Sequence, residues 1–375
     1  MDHIDWIDFA TMERFMVDVF VGLGVPRHEA EICADVLITA DKRGIDSHGI
    51  NRLKPIYYDR IKEGIQLPVT RFEILREGPT TAVTDCHNGM GMVASRRSME
   101  MAIDKASRFG MGMVAVRNST HYGMAGYYPI MAAEKGMIGI TGSNARPSIA
   151  PTFGIENMLG TNPLVFGIPT DEDFPFVIDC ATSTTQRGKI EVYARKNKKM
   201  PDGWVIDRNG ETTSDPHAAL KALIDGTAAL TPLGGIGEDG GGYKGYGYAT
   251  VVEILCAALQ AGNFLKALSG FENGRKVPYG LGHFFMAIKV EAFAELPKFK
   301  KTTGEILRAL RSSKKMPGQE RIFTAGEKEH DAWLYRKDRG VPVNAPLRKD
   351  CDAMRKAMNL WQFKFPWDGE PGAAT

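Results

Sequence analysis

The feature that most limits the fold is a change of hydrophobic period along the chain, helical at both ends and strand-like between. Phe9, Met12, Phe15, Met16, Val19 and Phe20 recur at helical spacing, and the pattern stops at Gly22 and Gly24. Pro26 suits the start of a second helix through Ala30, Cys33, Ala34, Leu37 and Ile38, ending near Gly44. A third helical stretch is expected from near Ser47, carrying Leu53, Ile56 and Tyr57. From about residue 70 the texture becomes short β-branched runs closed by Gly, Asn or Pro: TTAVTD, GMGMVAVRN, MIGITGSN, NPLVFGIP and FPFVID. Helical stretches at 94–109 and 126–135 alternate with them, as in a sheet covered by helices. Beyond Pro297 no strand is expected, and 302–313, 327–338 and 347–361 read as helices. The expectation is an α/β protein in three segments: a helical unit at 1–72, an α/β core at 73–296, and a helical segment at 297–375 that packs back on the first.

Composition narrows the function classes. A chain of 375 residues with 43% hydrophobic content can bury a core of two or three structural units. The net charge is only +2 and the basic residues are scattered, so nucleic acid is not an expected partner. No apolar run approaches the roughly 20 residues of a membrane helix. The start MDHIDWIDF carries acids where a signal peptide carries base, so a cytoplasmic protein without membrane partners is expected. Five cysteines, none in CxxC spacing, argue for reduced thiols. The eight histidines show no metal-ligand pairing, and no protein-held metal is expected.

Several segments carry groups suited to chemistry. In RGIDSHGINRL, residues 43–53, a cap at Asp46 or Ser47 would place His48 in the first turn of a helix and Arg52 one turn later on the same face. An imidazole and a forked cation together suit a hydroxy acid, whose oxygen exchanges a proton and whose carboxylate needs an anchor. Spacing alone favours a surface histidine and a solvated arginine. VRNSTHYG, residues 116–123, ends a strand in a polar loop bearing His121, which either touches ligand or satisfies the loop backbone. Gly89, Gly91, Ala94 and Gly110, Gly112, Ala115 mimic a dinucleotide fingerprint, yet the next strand ends at Arg117 and Asn118 without the ribose-binding acid; they read as turn and packing glycines. FVIDCATS, residues 176–183, breaks at Asp179 into small residues that let a ligand approach the backbone, or is an ordinary strand terminus. The glycine-rich stretch 234–247 precedes an apolar helix starting near Gly247, and with Lys244 it forms either a phosphate cradle or a flexible loop. KGYG lacks the hydroxyl of a Walker loop, which disfavours an ATP-using enzyme. Gly326, Glu327 and Lys328 in TAGEKE form a helix start or a turn over a ligand.

These motifs in this order, with GTNPLVFGIP, PDGWVID, PLGG and GHFFMAI, resemble the malate and L-lactate dehydrogenases of the second, non-Rossmann type, over residues 8 to 361. That family also holds sulfolactate, ureidoglycolate and diketogulonate oxidoreductases. The resemblance implies a homodimer with a mixed-sheet, non-Rossmann nucleotide-binding domain and a helical unit built from both chain ends. It implies His48 as the acid/base residue, with Arg52 and His121 holding substrate. It places NAD or NADP against Pro175, Phe176, Val177, Ile178, Asp179, Cys180 and Ala181, against Tyr243 and Lys244, and against Gly326, Glu327 and Lys328. Cys180 stands where the family often has Met, and Ala325 where it usually has Pro. The lengthened stretch Ile236 to Gly242 resembles the malate-type members, and Arg146 either meets a second substrate carboxylate or lies on the surface.

The expected activity is reversible hydride transfer between NAD(P)H and a small 2-oxo acid, with oxaloacetate and malate first and the lactate, sulfolactate and ureidoglycolate reactions as alternatives. An alternative of another class is a non-catalytic nucleotide-binding protein, against which the pair His48 and Arg52 speaks.

Overall fold

The computed structural model describes residues 3–369. The chain opens with a short strand β1 (Asp5–Ile7) and helices α1 (Phe9–Gly22) and α2 (Arg27–Lys42). The Asp8 side chain caps α1 by accepting the Thr11 amide hydrogen at 2.8 Å. The third helical stretch begins later than expected. Ile50–Arg52 forms a tight turn, Leu53–Tyr58 a widened helical stretch, and α3 spans Asp59–Lys62.

The core follows with β2 (Glu73–Glu77), β3 (Thr81–Asp85), α4 (Gly91–Phe109), β4 (Met111–Ser119), α5 (Tyr127–Ala133), β5 (Met137–Ser143), β6 (Leu164–Ile168) and β7 (Phe176–Cys180). Then come α6 (Arg187–Arg195), β8 (Val205–Asp207), α7 (Pro216–Asp225), β9 (Ala228–Leu230) and α8 (Gly242–Ala257). A small hairpin, β10 (Phe271–Glu272) and β11 (Arg275–Lys276), leads into β12 (Leu281–Lys289). The chain closes with α9 (Leu296–Ser312), α10 (Glu327–Arg336), β13 (Val341–Val343) and α11 (Ala345–Ala357).

The seven-stranded sheet has the order β2-β3-β4-β12-β5-β6-β7. Only β3 and β4 run parallel, joined by α4 as crossover, and all other neighbours in it are antiparallel. The fold is therefore α/β with a mixed sheet. All five strand runs expected from the sequence form, but β12 lies unannounced at the centre, bonded to β4 and β5. Successive β12 residues serve opposite faces, with Phe285 packed in the α4 and α5 layer and Phe284 against Val252 and Cys256 of α8. The two fingerprint-like glycine sets are packing positions. A Cβ on Gly91 would lie 2.2 Å from the Thr120 carbonyl, and one on Gly112 2.2 Å from that of Ala102. Between β7 and α8, a lobe of α6, β8, α7 and β9 closes over Ile190, Trp204, Ala219 and Leu230.

The chain ends meet, and partly through strands. β13 pairs antiparallel with β1, Ile7 opposite Val341, so the expectation of no strand beyond Pro297 is corrected. Three residues of VPV are too few to show a period in the sequence. Phe15, fully buried, meets Phe363 and Phe365 edge-on with ring centroids 5.4 and 5.3 Å apart. α9 departs from the expected partition: Arg308 and Arg311 tie it to Asp171 and Glu172, in the loop between β6 and β7 of the core. No helix among the described residues is long and apolar enough to cross a membrane.

Because Phe15 fills the junction of the two termini, Phe15→Ala should cost about 3–5 kcal/mol in urea unfolding. Phe363→Ala combined with it should cost less than the sum of the single changes, since the two rings share one contact.

Candidate active site

The loop after α2 is shaped by three local constraints. Gly44 adopts φ +74, which turns the chain out of the helix. The fully buried Asp41 accepts the Ile50 amide hydrogen on Oδ2 at 2.9 Å. A Cβ at Gly49 would lie 1.9 Å from Asp41 Oδ1, so the glycine of SHG is needed for this close approach. From α10, Arg336 forks onto Asp46 at 2.5 and 3.0 Å and also donates to the Asp41 carbonyl at 2.7 Å. Neither Asp46 nor Ser47 caps the following turn, contrary to expectation. Asp41 supplies the acceptor from nine residues upstream, and a cap at that distance has no local sequence signature.

The loop therefore presents His48 to a cleft of about 330 Å³. His121 reaches the same cleft from the end of β4, and the two imidazoles stack with centroids 5.8 Å apart and planes 18° from parallel. His121 Nδ1 receives the Gly123 amide hydrogen at 3.2 Å and faces Tyr57 Oη at 2.7 Å. A backbone N–H can only donate, so Nδ1 carries the lone pair and the His121 proton resides on Nε2. His48 Nδ1 instead meets the Ser47 hydroxyl at 2.9 Å, a partner able to donate or accept, and its tautomer stays free. His48 is half-buried by area yet crowded by protein on most sides. Burial first, and the Arg52 charge second, lower its pKa to about 4. His121 is held well below the ordinary histidine range by burial and then by His48 and neighbouring arginines. Both rings are neutral at physiological pH.

Arg52 does not line the cleft. Its Nε donates to the Ser47 carbonyl at 2.5 Å, while its charge still reaches His48 and His121. Of the expected cofactor contacts, Val177, Asp179, Ala181 and Gly326 line the cleft, and Pro175, Phe176, Ile178, Cys180, Glu327 and Lys328 do not. Asp179 accepts the Gly126 amide hydrogen at 2.7 Å, and crowding followed by the charge of Glu329 raises its pKa to about 6. Gly326, at φ +92, lets its turn press on the start of β7, where a Cβ would lie 2.7 Å from the Pro175 carbonyl. At Ala325, the departure from the usual Pro, the carbonyl accepts the Val177 amide hydrogen at 3.3 Å. Glu327 holds that turn by accepting the Thr324 amide hydrogen at 2.9 Å and pairing with Arg321. Lys328 lies over the Phe323 ring at 4.7 Å. Tyr243 and Lys244 are exposed in the first turn of α8, which starts at Gly242 rather than near Gly247. Arg146 is exposed beside the cleft residue Ala145.

Residues 7–351 match the family described as malate/L-lactate dehydrogenase. The malate dehydrogenase of Pyrococcus horikoshii is 42% identical, over 92% of this chain and 93% of that one. The L-sulfolactate dehydrogenase of Methanocaldococcus jannaschii is 37% identical, over 87% of this chain and 90% of that one. The crystal structure of malate dehydrogenase from Entamoeba histolytica superposes with a TM-score of 0.92 at 43% identity, covering 97% of this chain and all of that one.

The chain belongs to the malate/L-lactate dehydrogenase family.

For a member of the malate/L-lactate dehydrogenase family, sequence reading missed four groups around the cleft. Tyr57 was visible only as an apolar member of a helical stripe, and its hydroxyl turns out to face His121. Arg43, Gln186 and Glu329 line the cleft from helix ends and turns, where polar residues are ordinary and carry no local signal.

Lowered histidine pKa values link stability to pH. Unfolded, His48 and His283 titrate near the ordinary histidine value; folded, burial moves them to about 4 and about 3. Between those limits the unfolded chain binds more protons, so their contribution is fully present above about pH 6.5 and is lost as pH falls. The urea midpoint should therefore rise from pH 5 to pH 7, and His48→Gln should make that rise smaller.

Proposed function

We propose that this chain catalyses reversible transfer of a hydride between NAD(P)H and a small 2-oxo acid, with oxaloacetate and malate as the reacting pair. The observation that carries the reading is the pair of neutral, stacked imidazoles at the cleft, one with its proton fixed on Nε2 and the other free to choose. The malate dehydrogenases among its similar relatives and the long stretch Ile236 to Gly242 favour the malate pair.

Family members use NAD or NADP. The cleft residues fit the nicotinamide end of such a group: Asp179 offers a carboxylate to sugar hydroxyls, and Ala181 and Gly326 allow close approach to backbone. Val177 completes that wall, and Lys244, with Tyr243, is proposed to meet the charged portion from the first turn of α8. When bound, the nicotinamide supplies or accepts the hydride.

His121 donates its Nε2 hydrogen to the substrate oxygen and polarises it. His48, with Nδ1 hydrogen on Ser47, keeps an Nε2 lone pair and removes the hydroxyl proton during oxidation. In reduction the developing alkoxide favours imidazolium, so His48 takes up a proton from solvent on Nε2 and passes it to the alkoxide. Arg52 lies beside the cleft rather than on its wall, held through Nε by the Ser47 carbonyl. Its terminal nitrogens have no partner among the described residues, and a turn of the side chain toward His48 is proposed to bring them to the substrate carboxylate. The reading includes a homodimer. It is supported by exposed Tyr248, Val251 and Ile254 of α8 with Phe264 beyond it, an apolar surface of the kind that partners cover. A non-catalytic nucleotide binder would have no use for the two imidazoles.

NADH absorbance over oxaloacetate, pyruvate and sulfopyruvate tests this directly. Oxaloacetate should react fastest, and His48→Ala should lower kcat by about 10²–10⁴. A wild-type protein inert toward all three acids would sink the proposal, and unchanged turnover in the variant would remove His48 from its role.

A further inference from the structure

One cation in the cleft has no role in that scheme. Arg43 follows the last turn of α2 and lines the cleft beside His48, half-buried. Several other arginines with little exposure find a carboxylate. Arg336 forks onto Asp46, Arg311 onto Glu172 and Arg355 onto Asp368, whereas the Arg43 side chain has no hydrogen bond or ion pair among the described residues. The adjoining wall is apolar, formed by Ile45, Met124, Ile130 and Val177. Glu134 and Glu329 act on Arg43 only at a distance, and burial is the largest influence on it, lowering its pKa.

An arginine partly taken from water without a partner is unfavourable, because the N–H donors turned inward lose hydration and gain no acceptor. A planar oxyanion seated in the cleft would satisfy two of those donors at once. The geometry points to Arg43 as an anion-binding group of this cleft, holding either a carboxylate of the oxo acid or the pyrophosphate of the dinucleotide. This inference rests on the dehydrogenase reading for the identity of the anion, but not for its existence. The placement bears on mechanism: an anion held by Arg43 would bring negative charge into the cleft that His48 also lines. His48 would then take up a proton more readily with the site filled than empty.

The test compares Arg43→Gln and Arg43→Lys with wild type, after circular dichroism confirms the fold. NADH affinity is read from its fluorescence, and KM from oxaloacetate and pyruvate reduction. Loss of one bidentate contact should weaken the affected step by about tenfold or more in the Gln variant and less in the Lys variant, which keeps the charge. Weaker NADH binding assigns the anion to pyrophosphate. A raised KM with unchanged NADH affinity assigns it to a carboxylate, and a rise confined to oxaloacetate assigns the second carboxylate. Unchanged NADH affinity and unchanged KM values in both variants overturn the inference. Wild-type protein that binds NADH but reduces neither acid defeats the dehydrogenase reading instead, while the NADH titration still decides whether Arg43 holds the dinucleotide.

Discussion

The site depends on one buried hydrogen bond, that from the Ile50 amide to Asp41 Oδ2. It joins the last turn of α2 to the turn that follows the histidine loop, and so fixes where the intervening residues pass. Burial holds the Asp41 carboxyl well above the usual carboxylate range, and its other oxygen lies against Gly49. A neutral acid there costs far less than a buried charge and still accepts the amide hydrogen. The second support comes from the far end of the sequence, where Arg336 binds both the Asp41 carbonyl and the Asp46 carboxylate. The reason that the termini must pack together is thereby chemical as well as structural: the C-terminal segment clamps the loop that carries His48.

The electrostatics of the cleft follow from crowding more than from any single pair. Both imidazoles are kept neutral and Asp179 is pushed toward about 6, so the charge at the cleft wall is carried by Arg43 and by the carboxylates Asp179 and Glu329. An environment of that kind lets a small change in charge move a proton. Tyr57, itself buried and far from ionising, steadies His121 rather than exchanging protons with it.

Much of this was legible in the residues. Helical spacing located α1 and α2, β-branched runs located β3 to β7, and the ordered motifs resembled the family to which the chain belongs. What stayed hidden was long-range. LGHFFMAIK has no period to announce that it lies between β4 and β5, and its alternation is masked because both faces are buried. The three-residue strands β1 and β13 are stabilised by each other and by the aromatic cluster at the junction, which no local window contains. At the site, His48 and His121 were visible as residue types in polar loops. Their tautomers depend on Gly123 and Ser47 contacts that only folding creates. Arg43 stands at the edge of RGIDSHGINRL, and its side chain's lack of a partner among the described residues is a property of three-dimensional surroundings alone.

The position of β12 also shapes how the molecule is made. β4 and β5 leave the ribosome more than a hundred residues before the strand that joins them, and until then each presents an open hydrogen-bonding edge. The sheet is thus two unfinished halves during most of synthesis, closed by a late keystone. Such a chain acquires its cooperative core near the end of translation, and its vulnerability to intermolecular strand pairing is concentrated in that interval.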